Sequence, residues 1–218
     1  MKAIEDATCV RFKYVTDNAA DRVYIAKGRW NTGCNSMIGR TTGQQRLNLE
    51  QPGCVHKGIV IHELLHALGF VHEQSRPDRD EYVTIHYENI QDRPRNMTFN
   101  FNAYGHEEVD LLETPYDYGS IMHYGSDAFG KGRRLTITAK KSFTGTMGQR
   151  EGLSRLDVER VNRLYCGSTA CSKQYTIKRG DSCWQISTDN GITLDDLRRL
   201  NPNINCDELW VGRKMCTN

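Results

Sequence analysis

The sequence lacks any apolar run of the ~20 residues that a membrane-spanning helix needs. Its longest apolar-rich segment, residues 58–70, is interrupted by two histidines and a glutamate. A charge excess is also missing, since 29 Lys and Arg stand against 27 Asp and Glu. The formal charge of +2 is too small for the broad basic face of a nucleic-acid-binding protein. We therefore expect neither a membrane nor a nucleic acid among the partners.

Closely spaced cysteine pairs are absent as well. None of the eight cysteines lies in a CxxC pair, which disfavours a cysteine zinc ribbon or a thioredoxin-type redox motif. Their even number and wide spacing favour disulfides, and hence a secreted, extracellular protein. The first six residues contain no apolar stretch that could serve as a signal peptide. We therefore expect that a leader has been removed or that the chain is a fragment.

The chain of 218 residues, 38% of them hydrophobic, is long enough for one or two globular domains. The small, polar segment 167–170 divides the cysteines four and four, so we predict a linker there between domains 1–166 and 171–218. The second domain follows a strand, helix, helix, strand pattern. A module of this size is marginal without cross-links, which its four cysteines would supply as two disulfides. Three pairings are possible, and the sequence does not choose among them.

Periodicity predicts several elements of the first domain. Residues 10–15 and 22–27 alternate in the manner of strands. Apolar residues recur at helical spacing over 57–68, and Gly69 is a typical helix stop. A second helix is predicted over 154–164, with Ser154 and Asp157 as its capping box. Its inner face would consist of three apolar residues: Leu156, Val161 and Leu164.

The strongest functional signal is the run HELLHALGFVH at residues 62–72. In a helix, His62 and His66 lie on one face, where both imidazoles can reach one metal ion. Gly69 can adopt the positive φ that brings His72 back as a third ligand. Three neutral histidines leave an open position on a tetrahedral zinc ion, which is typical of a catalytic site. Glu63 is then placed to act as the general base.

Chance explains the short form of this pattern but not the long one. HExxH alone is expected in about one chain in 80 of this composition. The added Gly69 and His72 reduce that expectation to a few chains in ~10⁵. The sequence therefore predicts one zinc ion per chain.

The pattern HExxHxxGxxH resembles the metzincin zinc endopeptidases, and the residues after it narrow the resemblance. Phe70, His72-Glu73, Arg76, the run 78–80 (DRD) and the run 82–85 (YVTI) are similar to the extended signature of the astacin family. The run 120–124 (SIMHY) resembles the Met-turn of that family. The resemblance covers residues 1–166. It implies an α+β fold, a two-lobed zinc protease domain with a mixed sheet and an active-site helix.

The same resemblance assigns roles to individual residues. It implies zinc binding by His62, His66 and His72, and a general base and acid at Glu63. Met122 would form an apolar floor beneath the metal. Tyr124 would be a weak further ligand at rest that swings to stabilise the tetrahedral intermediate, and we take His123 as a non-ligand. Without the motif around it, Tyr124 would be read as a half-buried aromatic.

Three further features come from the family pattern. Arg150 matches the position that recognises acidic side chains just after the cut, with an ordinary surface arginine as the alternative. The implied disulfides are Cys9–Cys166 and Cys34–Cys54. Family members also carry a strand and most of a helix ahead of residue 8, and bury their mature N-terminus against the glutamate that corresponds to Glu73. We expect that contact to be missing here, which puts activity in question.

Residues 171–218 resemble a LysM domain of the cysteine-bearing, chitin-binding kind, from YTIKRGDSCW at 175–184 to VGRKMC at 211–216. The resemblance implies a βααβ fold with a shallow groove for GlcNAc polymers. The matching loop residues are Gly180, Asp181, Ser182, Pro202, Asn203 and Ile204. Ordinary turn chemistry is the alternative for all six. The four cysteines are Cys171, Cys183, Cys206 and Cys216. We predict Trp184 in the core.

Together these patterns predict a secreted, monomeric zinc endopeptidase that acts on proteins or peptides and is anchored to chitin or peptidoglycan. The alternative is a catalytically inactive GlcNAc-polymer-binding protein with an incomplete protease domain. The intact zinc motif argues for the first, and the expected N-terminal truncation argues for the second.

Overall fold

The computed structural model describes residues 1–16, 21–166, 173–201, 204–207, 209, 211–212 and 214–217. Contacts divide the chain into two compact units, Met1–Val161 and Asn162–Asn218. The predicted linker 167–170 and three residues that carry sequence predictions, Cys171, Pro202 and Asn203, lie outside the described residues.

A short mixed sheet forms the first layer of the larger unit. Helix α1 (Lys2–Ala7) is followed by the strands β1 (Arg22–Gly28), β2 (Cys34–Ser36) and β3 (Gln44–Glu50). The strand order is β1-β3-β2, with β1 parallel and β2 antiparallel to β3. A disulfide joins Cys34 of β2 to Cys54, as the resemblance implies.

The predicted strand over residues 10–15 is wrong, whereas the prediction over 22–27 is confirmed. Residues 10–15 form no β-ladder with any other described segment, although Val10 and Phe12 pack against the core. Only part of the alternation marks inward side chains, since Tyr14 is 92% exposed, and a strand additionally needs a partner for its backbone. Helix α1 was not predicted from the sequence.

Helix α2 (Lys57–Ala67) packs against the sheet and carries the zinc motif. Its apolar residues Ile61, Leu64 and Leu65 are buried with Leu47 of β3. The predicted helix is confirmed, and it ends where Gly69 adopts φ +98°. Residues 61–66 are all buried, because the apolar side chains pack in the core while His62, Glu63 and His66 line a cleft.

A second core lies beyond α2, in the part of the unit that holds strands β4 (Val83–Ile85) and β5 (Ile137–Ala139). These two strands pair antiparallel. Helix α3 (Arg155–Tyr165) follows them along the chain. Its capping box is confirmed, because the Asp157 N–H donates to Ser154 Oγ and the Ser154 N–H donates to Asp157 Oδ2. The prediction that Leu164 faces inward is wrong, since it is 46% exposed.

The smaller unit has the predicted strand, helix, helix, strand order: β6 (Gln174–Thr176), α4 (Cys183–Asp189), α5 (Leu194–Leu200) and β7 (Lys214–Cys216). Strands β6 and β7 pair antiparallel, and a disulfide joins Cys183 to Cys206. The core prediction for Trp184 is wrong, because this side chain is 64% exposed. Helix α4 turns Cys183 and Ile186 inward, which carries the residue next to Cys183 about 100° around the helix toward solvent.

Among the described residues, no helix combines the length and apolar character that a membrane crossing requires. Cys9, Cys166 and Cys216 are disulfide-bonded. The pairing of Cys9 with Cys166 stays a prediction.

Candidate zinc centre

The ring nitrogens of three histidines converge on one point. His72 Nε2 lies 3.2 Å from His62 Nε2 and 3.1 Å from His66 Nε2. Nitrogen ligands of a tetrahedral zinc ion, with Zn–N bonds of about 2.0–2.1 Å, are separated by roughly 3.3 Å. The spacing of this triad therefore fits a single zinc ion.

Hydrogen bonds to carbonyl oxygens set the orientation of two of these rings. His62 Nδ1 donates to Ile121 O at 2.8 Å, and His66 Nδ1 donates to Phe70 O at 2.8 Å. Because a carbonyl can only accept, each Nδ1 carries the proton and each Nε2 presents a lone pair to the shared point. Burial lowers the pKa of His62 to about 3. It also lowers the pKa of His66, and it lowers the pKa of His72 well below the ordinary value of a histidine. The rings are therefore neutral, as metal ligands must be.

The turn after α2 delivers the third histidine. The Gly69 N–H donates to His66 O at 2.8 Å, and the Phe70 N–H donates to Leu65 O at 3.0 Å. Gly69 bridges these bonds with its positive φ, a conformation that a side chain would strain. The chain thereby reverses within three residues and places His72 opposite the helix.

Glu63 supplies a buried carboxylate next to the triad. Its Oε2 has no hydrogen-bond partner among the described residues, and only 4% of the residue is exposed. Burial raises the pKa of this carboxyl to about 7, and the nearby Arg150 opposes that shift. Such a group can take up and release a proton near neutral pH.

The run 120–124 lies beside the triad. Met122 is buried in the same core cluster as Ile61 and Leu65 of the helix that carries two of the histidines. The Tyr124 ring lies 4.4 Å from the His72 ring, centroid to centroid. Burial raises the pKa of Tyr124 to about 12, so its phenol remains a hydrogen-bond donor.

Arg150 is brought into the same cleft, which has a volume of about 480 Å³. Of the described residues that line this cleft, Arg150 alone carries a permanent positive charge. Its Nη1 donates to His123 O at 3.2 Å and to Gln149 O at 2.8 Å. Its backbone touches α2 so closely that a Cβ added to Gly58 would lie 1.8 Å from Arg150 O.

A buried ion pair behind the third histidine was missed by sequence reasoning. Glu73 accepts two hydrogen bonds from Arg160 of α3, at 2.6 and 2.9 Å, and one from the Asp117 N–H at 2.7 Å. Arg76 adds an ion pair at 3.3 Å. The Glu73 carboxylate is therefore fully engaged by groups of this chain. No sequence signal could have paired Glu73 with Arg160, which lie 87 positions apart.

The predicted sugar-contact residues have local structural roles in the smaller unit. Gly180 adopts φ +92°, Asp181 accepts the Lys178 N–H at 2.7 Å, and Ser182 caps α4. Ile204 lines a polar cleft of about 320 Å³. The other lining residues of that cleft are Arg198, Asn201, Asn205, Cys206 and Asp207.

The histidine triad, Glu63 and Tyr124 have the arrangement that the resemblance to the metzincin zinc peptidases implies. The family comparison places the chain within this class. Residues 1–166 match the model of the astacin peptidase family, and the chain belongs to that family. Residues 175–218 match the LysM domain model.

Relatives support the same assignment. The chain is 46% identical over 167 residues to zinc metalloproteinase nas-15 of Caenorhabditis elegans, an alignment that covers 76% of this chain and 28% of that protein. It is 46% identical over 166 residues to high choriolytic enzyme 1 of Oryzias latipes, which covers 76% of this chain and 58% of the relative. The solved structure of that hatching-enzyme zinc protease aligns with a TM-score of 0.68, covering 78% of its chain. This chain thus spans less than two thirds of both full-length relatives.

Proposed function

We propose that this protein is a secreted zinc endopeptidase that hydrolyses peptide bonds while a LysM module holds it on chitin or peptidoglycan. The observation that carries the catalytic half is the buried Oε2 of Glu63, which has no partner among the described residues and lies beside three Nε2 atoms that converge on one point. The disulfides support secretion, because such bonds persist in oxidising compartments.

Peptide hydrolysis needs a nucleophile, a proton carrier and a donor for the developing oxyanion. His62, His66 and His72 would hold a zinc ion, which would supply the Lewis acidity needed to activate a water molecule and to polarise the scissile carbonyl. Glu63 accepts a proton from the attacking water at Oε2 and returns it to the nitrogen of the leaving amine. Burial raises the pKa of this carboxyl, which favours the uptake of that proton. The Tyr124 phenol donates a hydrogen bond to the oxyanion.

Arg150 provides substrate selectivity in this proposal. It lines the cleft that holds the triad and Glu63, and it carries the only permanent positive charge among the described lining residues. A carboxylate side chain just after the scissile bond can pair with it, and the partial burial of the site strengthens that pairing.

The LysM module provides the anchor. Ile204 and the loop that contains Gly180, Asp181 and Ser182 belong to the sugar-binding set, together with Pro202 and Asn203. Anchoring confines the protease near proteins embedded in the polymer and so raises its effective concentration there. The substrates are therefore proteins in or near chitin or peptidoglycan.

Cleavage of casein by the purified 218-residue chain with zinc, beside Glu63→Gln prepared in the same way, tests the catalytic half. The variant keeps all three histidines and removes the proton carrier, so a contaminating protease would appear in both samples. Activity in the wild type alone supports the proposal. A folded, zinc-loaded wild type without activity would make the inactive GlcNAc-polymer-binding protein the better interpretation.

A separate pull-down tests the anchor. The protein is incubated with insoluble chitin, with peptidoglycan and with cellulose as a control polymer. Retention on chitin or peptidoglycan but not on cellulose supports the LysM assignment and identifies the polymer. If none of the three polymers retains the protein, the anchor is refuted and the catalytic proposal is unaffected.

A further inference from the structure

The backbone of Tyr124 is held on both sides by side chains. Its N–H donates to Gln74 Oε1 at 3.0 Å, and its C=O accepts from His123 Nδ1 at 2.7 Å. The carbonyl of His123, which belongs to the same peptide group as the Tyr124 N–H, accepts from Arg150 at 3.2 Å. Tyr124 lies outside every helix and strand of the described chain, so these side chains decide where its Cα lies.

Gln74 is the least expected of these partners. Its side chain is completely buried, and its Nε2 has no hydrogen-bond partner among the described residues. A buried amide that leaves a donor unpaired destabilises a fold. The stabilising contribution of this side chain therefore comes from its acceptor Oε1, which accepts the hydrogen bond of the Tyr124 N–H.

The chemistry of the two bonds assigns the buried groups unambiguously. A backbone N–H can only donate, so Gln74 presents its Oε1 to Tyr124. A backbone carbonyl can only accept, so His123 carries its proton on Nδ1, and its Nε2 accepts from the Tyr116 hydroxyl at 2.8 Å. His123 is completely buried, and both of its ring nitrogens are engaged by these bonds.

The Gln74 bond connects two segments that meet at the metal site. Gln74 lies two residues after His72, and Tyr124 lies 50 residues further along the chain. The Tyr124 ring rests 4.4 Å from the His72 ring, centroid to centroid. A second bond between the same segments, from the Glu73 N–H to Met122 O, is longer at 3.2 Å.

We propose that Gln74 is a positioning residue for Tyr124 in the peptidase reaction. It fixes the backbone from which the phenol projects and thereby keeps the hydroxyl within reach of the reacting carbonyl. Gln74 contacts neither the substrate nor the zinc ligand atoms in this role. The inference rests on the proposed function, because it needs the phenol to act in catalysis.

Two substitutions of Gln74 distinguish the loss of its hydrogen-bond acceptor from a change in side-chain volume. Gln74→Met keeps the length and removes the acceptor, whereas Gln74→Glu keeps an oxygen at the same place. We expect Gln74→Met to lower kcat about tenfold or more, since small misplacements of a catalytic group are costly, and to leave KM for a short peptide within about twofold. Gln74→Glu should recover most of the lost kcat. Zinc affinity, measured by competition with a chelator, should be the same in all three proteins.

A double-mutant cycle with Tyr124→Phe tests whether Gln74 acts through the phenol. If it does, Gln74→Met should cost less than about threefold in kcat once the hydroxyl is gone. A full, additive loss in the Tyr124→Phe background would overturn the proposal. So would an unchanged kcat in Tyr124→Phe, because the phenol would then have no role to support.

Hydrogen exchange of the Tyr124 amide gives a readout that does not depend on activity. In the zinc-free protein we expect this amide to exchange faster in Gln74→Met than in the wild type, and to regain protection in Gln74→Glu. Unchanged protection in Gln74→Met would overturn the proposal even in an active enzyme. A wild type without peptidase activity would instead count against the proposed function, because amide exchange is measured independently of peptidase activity.

Discussion

The guanidinium of Arg150 enters a cleft whose other lining charge is the carboxyl of Glu63. Both groups are partly withdrawn from water, and each alters the electrostatics of the other. A substrate carboxylate would therefore find one attractive and one repulsive partner in the same cleft. Its position relative to the scissile bond decides which of them it meets.

Replacement of Arg150 tests this balance at the residue scale. We expect Arg150→Met to lower kcat/KM about 10- to 100-fold for peptides with Glu or Asp just after the cut, because a charge-assisted hydrogen bond is lost. Peptides with Ala at that position should change little. Paired peptides that differ only there provide the measurement, and Arg150→Lys is the control that keeps the charge. Equal losses on both peptides would assign Arg150 a structural role.

The loop that carries Arg150 approaches helix α2 closely because Gly58 of that helix has no side chain. A Cβ at Gly58 would meet Arg150 O at 1.8 Å, a distance at which the loop must move. Alanine is the better helix former, so the helix itself would gain from this change. The loss would fall on the packing between α2 and residues 147–152.

We predict that Gly58→Ala destabilises the protein by about 1–3 kcal/mol, as overpacking does, and weakens the preference for acidic peptides. Urea unfolding and the same peptide pair measure the two effects. Gly53→Ala is a matched control, because a Cβ there meets nothing within 4 Å. A stable Gly58→Ala protein with unchanged selectivity would contradict the close approach.

Helix α3 is tied to the turn after His72 by the buried pair of Arg160 and Glu73. Removal of Arg160 takes two charge-assisted hydrogen bonds from the buried Glu73 carboxylate and leaves it only Arg76 and the Asp117 N–H, so Arg160→Met should cost about 3–5 kcal/mol. Arg155 of the same helix pairs with Glu159 at the surface, with 81% of its side chain exposed. Arg155→Met should therefore cost less than about 1 kcal/mol. Chemical denaturation of both variants makes the comparison, and similar losses would refute it.

For the molecule as a whole, the LysM module would hold the protease domain on a polymer that also contains the protein substrate. We predict that the protein cleaves chitin-embedded casein faster than the same amount of casein in solution, because anchoring raises the local enzyme concentration. Soluble GlcNAc oligomers should abolish the difference and leave cleavage of free casein unchanged. An advantage that persists with saturating oligomers would show that the anchor plays no part.

The glutamate that follows the third histidine illustrates how a family pattern and an individual structure can differ. The resemblance implies a buried N-terminus at Glu73, whereas this chain engages the carboxylate with Arg160, Arg76 and the Asp117 N–H. The Glu73 carboxylate is therefore held by groups of this chain. The expectation that a missing N-terminal contact endangers activity stays a prediction.

Features that depend on short separations along the chain could be predicted from the sequence. The histidines at spacing four, the glycine stop after α2, the capping box of Ser154 and Asp157, and the order of elements in the smaller unit follow from local periodicity and local hydrogen bonds. The same local reasoning failed where a partner was needed. Residues 10–15 alternate without pairing, and Trp184 lies beside a buried cysteine yet faces solvent.

The contacts that orient the site form only when distant segments pack together. Arg160 reaches Glu73 across 87 positions, Gln74 holds Tyr124 across 50, and Arg150 rests on Gly58 of α2. Each of these contacts depends on how helices and turns pack, and periodicity within one segment contains no information about the neighbour it will meet. Ligand identity was thus encoded locally, whereas the positions of the proton carrier, the phenol and the guanidinium came from packing between distant segments.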